Sequence, residues 1–258
     1  MLQEERLIRI NALLATHTRI STERIALDLD VSRETVRRDV LELEARGKLR
    51  RVHGGVVATG PEPEAPFAVR MRVNAREKHA IAKAALGLLS PGQTLFLDAG
   101  STTGILAEEL ASMTGLTIVT NAVRIAARMS GPHGKRSAGN DAILLGGRID
   151  PDVNATYGDL TINEIGRYQV DMALLSPVGL NAQQGATSYE HHEAAVAQAM
   201  ARHARHVVIL ADHSKIGVRS RVSYAEPGDI HTVVSNRQDG SDAELTALRR
   251  GGVEVLLA

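Results

Sequence analysis

Three short stretches of this chain bring together side chains able to hold an anion. In Ser32 to His53, SRETVRRDVLELEARGKLRRVH, the cations Arg33, Arg37, Arg38, Arg46, Lys48, Arg50 and Arg51 face only four acids, a net of +3. A guanidinium is suited to phosphate because its planar fork donates two parallel hydrogen bonds. DAGSTT, Asp98 to Thr103, places Gly100 and the hydroxyls of Ser101, Thr102 and Thr103 between the apolar TLFL and the stretch GILAEEL. Where a strand turns into a helix in this way, first-turn amides and the helix dipole converge on negative charge. ADHSK ends on Lys215, a point charge able to neutralise a phosphate. Neither GxxxxGK[ST] nor GxGxxG occurs, which argues against nucleoside triphosphate and dinucleotide sites, and no cofactor is expected.

The elements that must position these residues can be read from periodicity. Leu7, Ile8, Ile10, Leu13 and Leu14 recur at helical spacing from Glu4 to His17. A shorter helix begins at a Ser21 cap and buries Ile25, Ala26 and Leu29. A third is capped by Ser32 and buries Val36, Val40 and Leu43 at i, i+4 and i+7. That stripe leaves Glu34, Arg37 and Arg38 outward, with Thr35 on a flank. Lys48 to Val57 reads as two strands joined by Gly54-Gly55, a pair that accepts the positive φ of a hairpin turn. A helix followed by a basic hairpin is the order of a winged helix-turn-helix, whose third helix fits the major groove of duplex DNA. ATGPEPEAP, Ala58 to Pro66, is rich in proline and acid and reads as a linker. The expected division is therefore 1–57, a linker over 58–66, and 67–258.

Beyond the linker, helical and strand-like runs alternate. EKHAIAKAALGLL is helical, TLFLDAG a buried strand, TGILAEEL helical and LTIVTNA a strand. DAILLGG, VDMALLS, RHVVILAD and IHTVVS are further apolar runs ending in turn residues. This alternation predicts an α/β domain with a mainly parallel sheet. Ligands of such sheets bind beyond the strand C-termini, where Asn121, Gly146, Gly147 and Lys215 fall. GPHGKRSAGN, before Asp141, reads as a polar loop. His191 and His192, adjacent on a predicted helix, point about 100° apart, a poor geometry for one metal, and no HExxH is present, so no metal site is expected.

VSRETVRRDVLELEARGKLRRVHGG resembles the DNA-binding signature of the DeoR family of bacterial transcription regulators, and LDAGSTT, TNA, GG, the stretch around Glu190 to Ala194 and ADHSK follow in the family's order. The resemblance spans nearly the whole chain. It implies DNA contacts from Ser32, Arg33, Thr35, Arg37, Arg38, Arg51 and His53, and a C-terminal domain similar to ribose-phosphate isomerases that senses phosphorylated sugars. Asp98, Gly100, Ser101, Thr102, Thr103, Asn121, Gly146, Gly147, Glu193 and Lys215 are the effector residues it implies. Two departures stand out: Ala197 replaces a frequent lysine, and LLSPVGL replaces an aromatic-and-glycine stretch.

The expected function is a repressor of carbohydrate genes that binds operator DNA as a homodimer or tetramer, with no catalytic set. The alternative is a sugar-phosphate isomerase with an appended DNA module, for which Asp98, Glu190 or Glu193 would supply the base. Composition fits either. The 258 residues are 43% hydrophobic, with 30 Lys and Arg balancing 30 Asp and Glu, and no cysteine. MLQEERLIRI is charged from residue 4, and no apolar run approaches the roughly 20 residues that cross a bilayer, so a cytoplasmic protein is expected.

Overall fold

The computed structural model describes residues 2–16, 19–52, 54–58, 65–130, 139–237 and 242–258. They form two compact units, Met1–Val73 and Asn74–Ala258. The first unit runs α1 (Gln3–Thr16), β1 (Arg19–Ser21), α2 (Thr22–Leu29), α3 (Arg33–Ala45), β2 (Leu49–Val52), β3 (Gly55–Ala58) and α4 (Phe67–Arg70). Ser21 and Ser32 both cap as expected, their hydroxyls accepting the amides of Arg24 and Thr35 at 3.1 Å. Gly54 takes φ +77° at the hairpin turn, and the antiparallel sheet runs β1-β3-β2, so β2 is an outer strand. The helices bury Leu7, Ile10, Ile25, Val36, Val40 and Leu43 in one core. That core also receives Val73, so the first unit continues past the division expected at 57 and 66. Residues 59–64 of the expected linker lie outside the described residues.

One charge interrupts the stripe of α3. Asp39, three residues after Val36 and therefore on its face, is 1% exposed. Arg6 of α1 answers it bidentately, Nε to Oδ2 at 2.6 Å and Nη2 to Oδ1 at 3.1 Å. A buried carboxylate without its partner would be left uncompensated, so the pair fixes α1 against α3.

The second unit continues with α5 (Ala75–Leu86), β4 (Thr94–Leu97), α6 (Ser101–Glu109), β5 (Thr117–Thr120), α7 (Val123–Ser130), β6 (Asp141–Leu144), β7 (Arg148–Asp150), β8 (Ala155–Tyr157) and α8 (Asp159–Ile165). It ends with β9 (Val170–Leu175), β10 (Gly179–Asn181), β11 (Gly185–Ser188), α9 (His191–Arg202), β12 (Ala204–Leu210), β13 (Val222–Ala225), β14 (Thr232–Ser235), α10 (Asp242–Arg250) and β15 (Glu254–Leu257). Seven strands form one sheet in the order β15-β14-β12-β9-β4-β5-β6, and every pairing in it is parallel. Phe96, Val119, Leu175 and Ile209 are fully buried, as expected of strands covered on both faces. The chain lays down β4, β5 and β6 outward to one side and then returns to place β9 on β4's other side. The order therefore reverses between β4 and β9, and a crevice at their carboxyl ends is where such sheets bind ligands.

Among the features beyond the expected elements are strand β1, the antiparallel sheet β10-β11-β13, the hairpin β7-β8, helices α4, α7, α8 and α10, and the C-terminal strand β15. Of the expected polar loop, residues 131–138 lie outside the described residues. Asn140, which belongs to it, is buried, accepting the Leu116 amide at 2.9 Å and donating to the Met113 carbonyl at 2.9 Å.

The Arg6–Asp39 pair yields a stability test. Asp39→Asn is expected to lower the thermal midpoint of the first unit by several degrees, whereas Arg6→Met combined with Asp39→Leu recovers most of it, because an apolar pair removes both charges together. Circular dichroism melts of the variants check this, and an unchanged midpoint for Asp39→Asn would contradict the anchoring role.

Candidate nucleic-acid interface and candidate effector site

Helix α3 presents Arg33, Arg37 and Arg38 to solvent. Arg33 pairs with Glu23 of α2 at 2.7 Å, and Arg38 lies 3.6 Å from Glu34 one turn earlier. Arg37 has no ion-pair partner among the described residues. Exposed pairs contribute about 0–1 kcal/mol, so a phosphate can displace either glutamate readily. Ser32 and Thr35 stand at the helix start with hydroxyl oxygens 2.8 Å apart. Arg51, on β2, is held by Glu44 near the end of α3. His53 lies outside the described residues. Helix, cap and outward arginines thus share one surface of the kind that enters a major groove.

In the second unit, Asp98 directly follows β4. Its Oδ1 accepts the Gly100 amide at 3.0 Å and the Thr103 hydroxyl at 2.7 Å, and its Oδ2 accepts the Ser176 amide just after β9 at 2.7 Å. Both oxygens are committed to holding the turn across the reversal point. A Cβ on Gly100 would lie 2.4 Å from the Ser176 Cβ, so only glycine allows this approach. Gly100 is also the N-cap of α6 and brings no side chain to it. The first-turn amides of Ser101, Thr102 and Thr103 therefore open the helix without a capping hydroxyl or carboxylate.

Next to them stands a residue that the sequence reading passed over. Lys78 of α5 is 4% exposed, and its ammonium donates to the Ser101 hydroxyl at 3.0 Å. Its signal was available, since Lys78 shares the apolar stripe of Ile81, Ala82 and Ala85. A lysine on a core-facing stripe needs a partner or a ligand.

Asp212, after β12, is the matching charge. It is 1% exposed and caps the turn His213–Lys215, accepting the Ser214 amide at 3.0 Å, the Ser214 hydroxyl, and the Asn74 side-chain amide at 2.9 Å. Burial alone would push its carboxyl up. The charge of Lys215, the Ser214 hydrogen bonds and the charge of Lys78 together outweigh burial and hold it below the usual carboxylate range. Two ammonium groups, the carboxylates of Asp212 and Asp98, and the first turn of α6 therefore gather at the carboxyl ends of the sheet, with the Asp98 oxygens already occupied by the Gly100 and Ser176 amides and the Thr103 hydroxyl.

The other expected residues are placed as follows. Asn121, after β5, is 6% exposed; its Nδ2 donates to the Thr156 carbonyl at 2.9 Å, and its Oδ1 has no partner among the described residues. A buried acceptor without a donor is costly, so this atom invites a hydroxyl or water. The Gly146 amide is already taken by Glu164 of α8 at 2.6 Å, and its carbonyl by Thr161 at 2.7 Å. A Cβ on Gly147 would meet the Thr161 hydroxyl at 2.1 Å, so this glycine pair seats its loop under α8. Glu193, in the first turn of α9, accepts the Ser188 hydroxyl at 3.1 Å. Glu190 is exposed at the start of that helix. His192 pairs with Asp150 at 3.0 Å, and among the described residues no cluster of three His, Cys, Asp or Glu could hold a metal. No helix among them is long and apolar enough to cross a membrane.

Two measurements test these surfaces. Arg37→Ala is expected to leave the melting curve unchanged and to weaken binding to duplex DNA while reducing the slope of log K against log salt by about 0.9, the share of one phosphate contact. Asp212→Ala removes the acceptor of the Ser214 amide and hydroxyl and the shorter of two acceptors of the Asn74 amide, and is expected to destabilise the second unit by about 1–3 kcal/mol at neutral pH. Because the folded-state pKa of Asp212 is lowered, its contribution is present above the ordinary carboxylate range and lost as pH falls through the folded value. Urea unfolding at neutral and acid pH should therefore show the gap between wild type and variant closing on acidification.

Both parts of the chain match known families. Residues 73–237 match the DeoR C terminal sensor domain and residues 6–61 the DeoR-like helix-turn-helix domain. The HTH-type transcriptional repressor GlcR of Bacillus subtilis (strain 168) is 34% identical across 100% of this chain and 97% of its own length. The HTH-type transcriptional regulator GlpR of Haloferax volcanii is 31% identical over 99% of this chain and 98% of its own. The glycerol-3-phosphate regulon repressor of Escherichia coli (strain K12) is 29% identical over 79% of each. Among solved structures, ribose 5 phosphate isomerase A from Neisseria gonorrhoeae overlaps 59% of this chain and 56% of its own with a TM-score of 0.40 and 14% identity. With both of its parts matched, and a repressor aligned from end to end, this chain belongs to the DeoR family of transcription regulators, DNA-binding proteins rather than enzymes.

Proposed function

We propose that this protein represses genes of carbohydrate or polyol metabolism and is released or engaged by a phosphorylated metabolite bound beyond β4 and β12. The observation that carries the reading is the buried Lys78 ammonium on the Ser101 hydroxyl, at the open N-terminus of α6. A phosphate monoester supplies the anion that such amides and ammonium groups favour. Ser101, Thr102, Lys78 and Lys215 take the phosphate in this reading, and Asn121 Oδ1 accepts a hydroxyl of the carbon chain. Asp98, Gly100, Thr103, Gly146 and Gly147 shape the walls, and Glu193 borders the distal end. The name of the Escherichia coli relative, a glycerol-3-phosphate regulon repressor, supports a small phosphorylated polyol or sugar as the chemical class.

Its target is palindromic operator DNA, read by Ser32, Arg33, Thr35, Arg37 and Arg38 of two subunits, with His53 on the wing. One basic helix gives modest affinity, and joining two on a single duplex multiplies it, which supports a homodimer or larger assembly in the cytoplasm. The effector works by binding the DNA-competent and DNA-incompetent arrangements unequally.

A thermal-shift screen of sugar and polyol phosphates tests the sensor. A ligand binding only the folded protein at 100 times its dissociation constant stabilises it by about 2.7 kcal/mol, a readily visible shift. Lys78→Ala and Lys215→Ala are expected to weaken the phosphorylated hit at least tenfold while changing weak binding of the unphosphorylated parent little. Equal losses for both compounds would rule out a phosphate contact at these lysines.

A further inference from the structure

Arg51 is the wing cation that its sequence context marks for DNA, yet it is turned to a partner within its own unit. Glu44, near the C-terminal end of α3, takes the Arg51 backbone amide on Oε1 at 3.0 Å and the Arg51 Nε on Oε2 at 2.5 Å. One carboxylate thus satisfies two donors of a single residue seven positions later, across the junction between helix and wing. The amide it takes is one that the outer strand β2 turns away from β3. Such edge amides otherwise face solvent. The pairing registers place Arg51 opposite the buried Val56 and Leu49 opposite Ala58. Successive strand residues point to opposite faces, so Arg51 shares a face with the buried Leu49 while Arg50 occupies the other. The Arg51 amide, ahead of its guanidinium, holds the Glu44 carboxyl below its usual range against a smaller opposing effect of desolvation.

We infer that Glu44 is a positioning residue for DNA binding, which latches the wing onto the recognition helix through Arg51, and that Arg51 serves this latch instead of contacting phosphate. The latch fixes the angle between two elements that must meet neighbouring parts of one duplex at the same time. Loss of either partner leaves β3 paired with β1 and Leu49 and Val56 in the core, but frees the outer edge of β2 to shift against α3, which is anchored separately by Asp39 and Arg6.

The two roles of Arg51 predict opposite signs. As a phosphate contact, Arg51 would be restrained by Glu44, and removing the carboxylate would tighten binding. As a latch, it loses its seat, and binding weakens. The experiment uses the full-length chain and a duplex selected by that chain from a random-sequence library, with dissociation constants measured across a salt series. Glu44→Ala and Arg51→Ala are each expected to weaken binding about tenfold, and the double variant no further, with the salt slope unchanged. Glu44→Gln, which still accepts the amide, is expected to recover part of the loss. Circular dichroism at the binding temperature verifies that every variant remains folded, and Arg37→Ala calibrates the slope change of a phosphate contact. Tighter binding by Glu44→Ala, or a slope reduced by about 0.9 in Arg51→Ala, would overturn the inference.

Discussion

The Lys78 ammonium has left water, and the carboxyl ends of the large sheet are arranged around that fact. A buried cation requires oxygen atoms at hydrogen-bonding distance and a counter-charge in its field. The Ser101 hydroxyl provides the first, and Asp212 contributes the second. Asp212 is buried in turn and needs Lys215, Ser214 and the Asn74 amide. In this way the turns after β4 and β12, strands separated in the sheet by β9, are tied together with the start of α5. The same rule acts in the first unit, where Asp39 can enter the core of α3 only because Arg6 arrives from α1.

How much of this could be read from the chain depends on how far apart the interacting groups lie. The start of α3, its Ser32 cap and its Val36–Val40–Leu43 stripe were legible, because each is decided within a few residues. Asp39 lies on the same stripe, but composition counts it with the surface acids, and the arginine that neutralises it stands 33 positions earlier. Lys78 is visible as a polar break in the face of Ile81 and Ala85, yet nothing local says that Ser101 and Asp212 wait opposite. The parallel strands were recognisable as apolar runs ending in turn residues. By contrast β10, β11 and β13 are the short segments GLN, GATS and VSYA, with little hydrophobic periodicity, and exist through pairing with one another.

Charge around α3 and the hairpin also reads differently once burial is known. Asp39 is matched by Arg6 from outside the basic segment, so setting it aside raises the net charge of Ser32 to His53 from +3 to +4. Glu23 and Glu34 are of another kind, since they stay exposed beside Arg33 and Arg38 and moderate the field around α3 without being part of its packing. A surface built this way keeps its attraction for nonspecific phosphate modest.

The turn that joins β4 to α6 is fastened at Gly100, Thr103 and Ser176 by one carboxylate, with no side chain at Gly100 to prop it apart. If the proposed effector binds there, it meets donors already oriented by Asp98 and spends little of its interaction free energy on organising them. Preorganisation of this sort lets a compound with few atoms, and so few possible contacts, bind tightly enough to act as a signal at cellular concentrations.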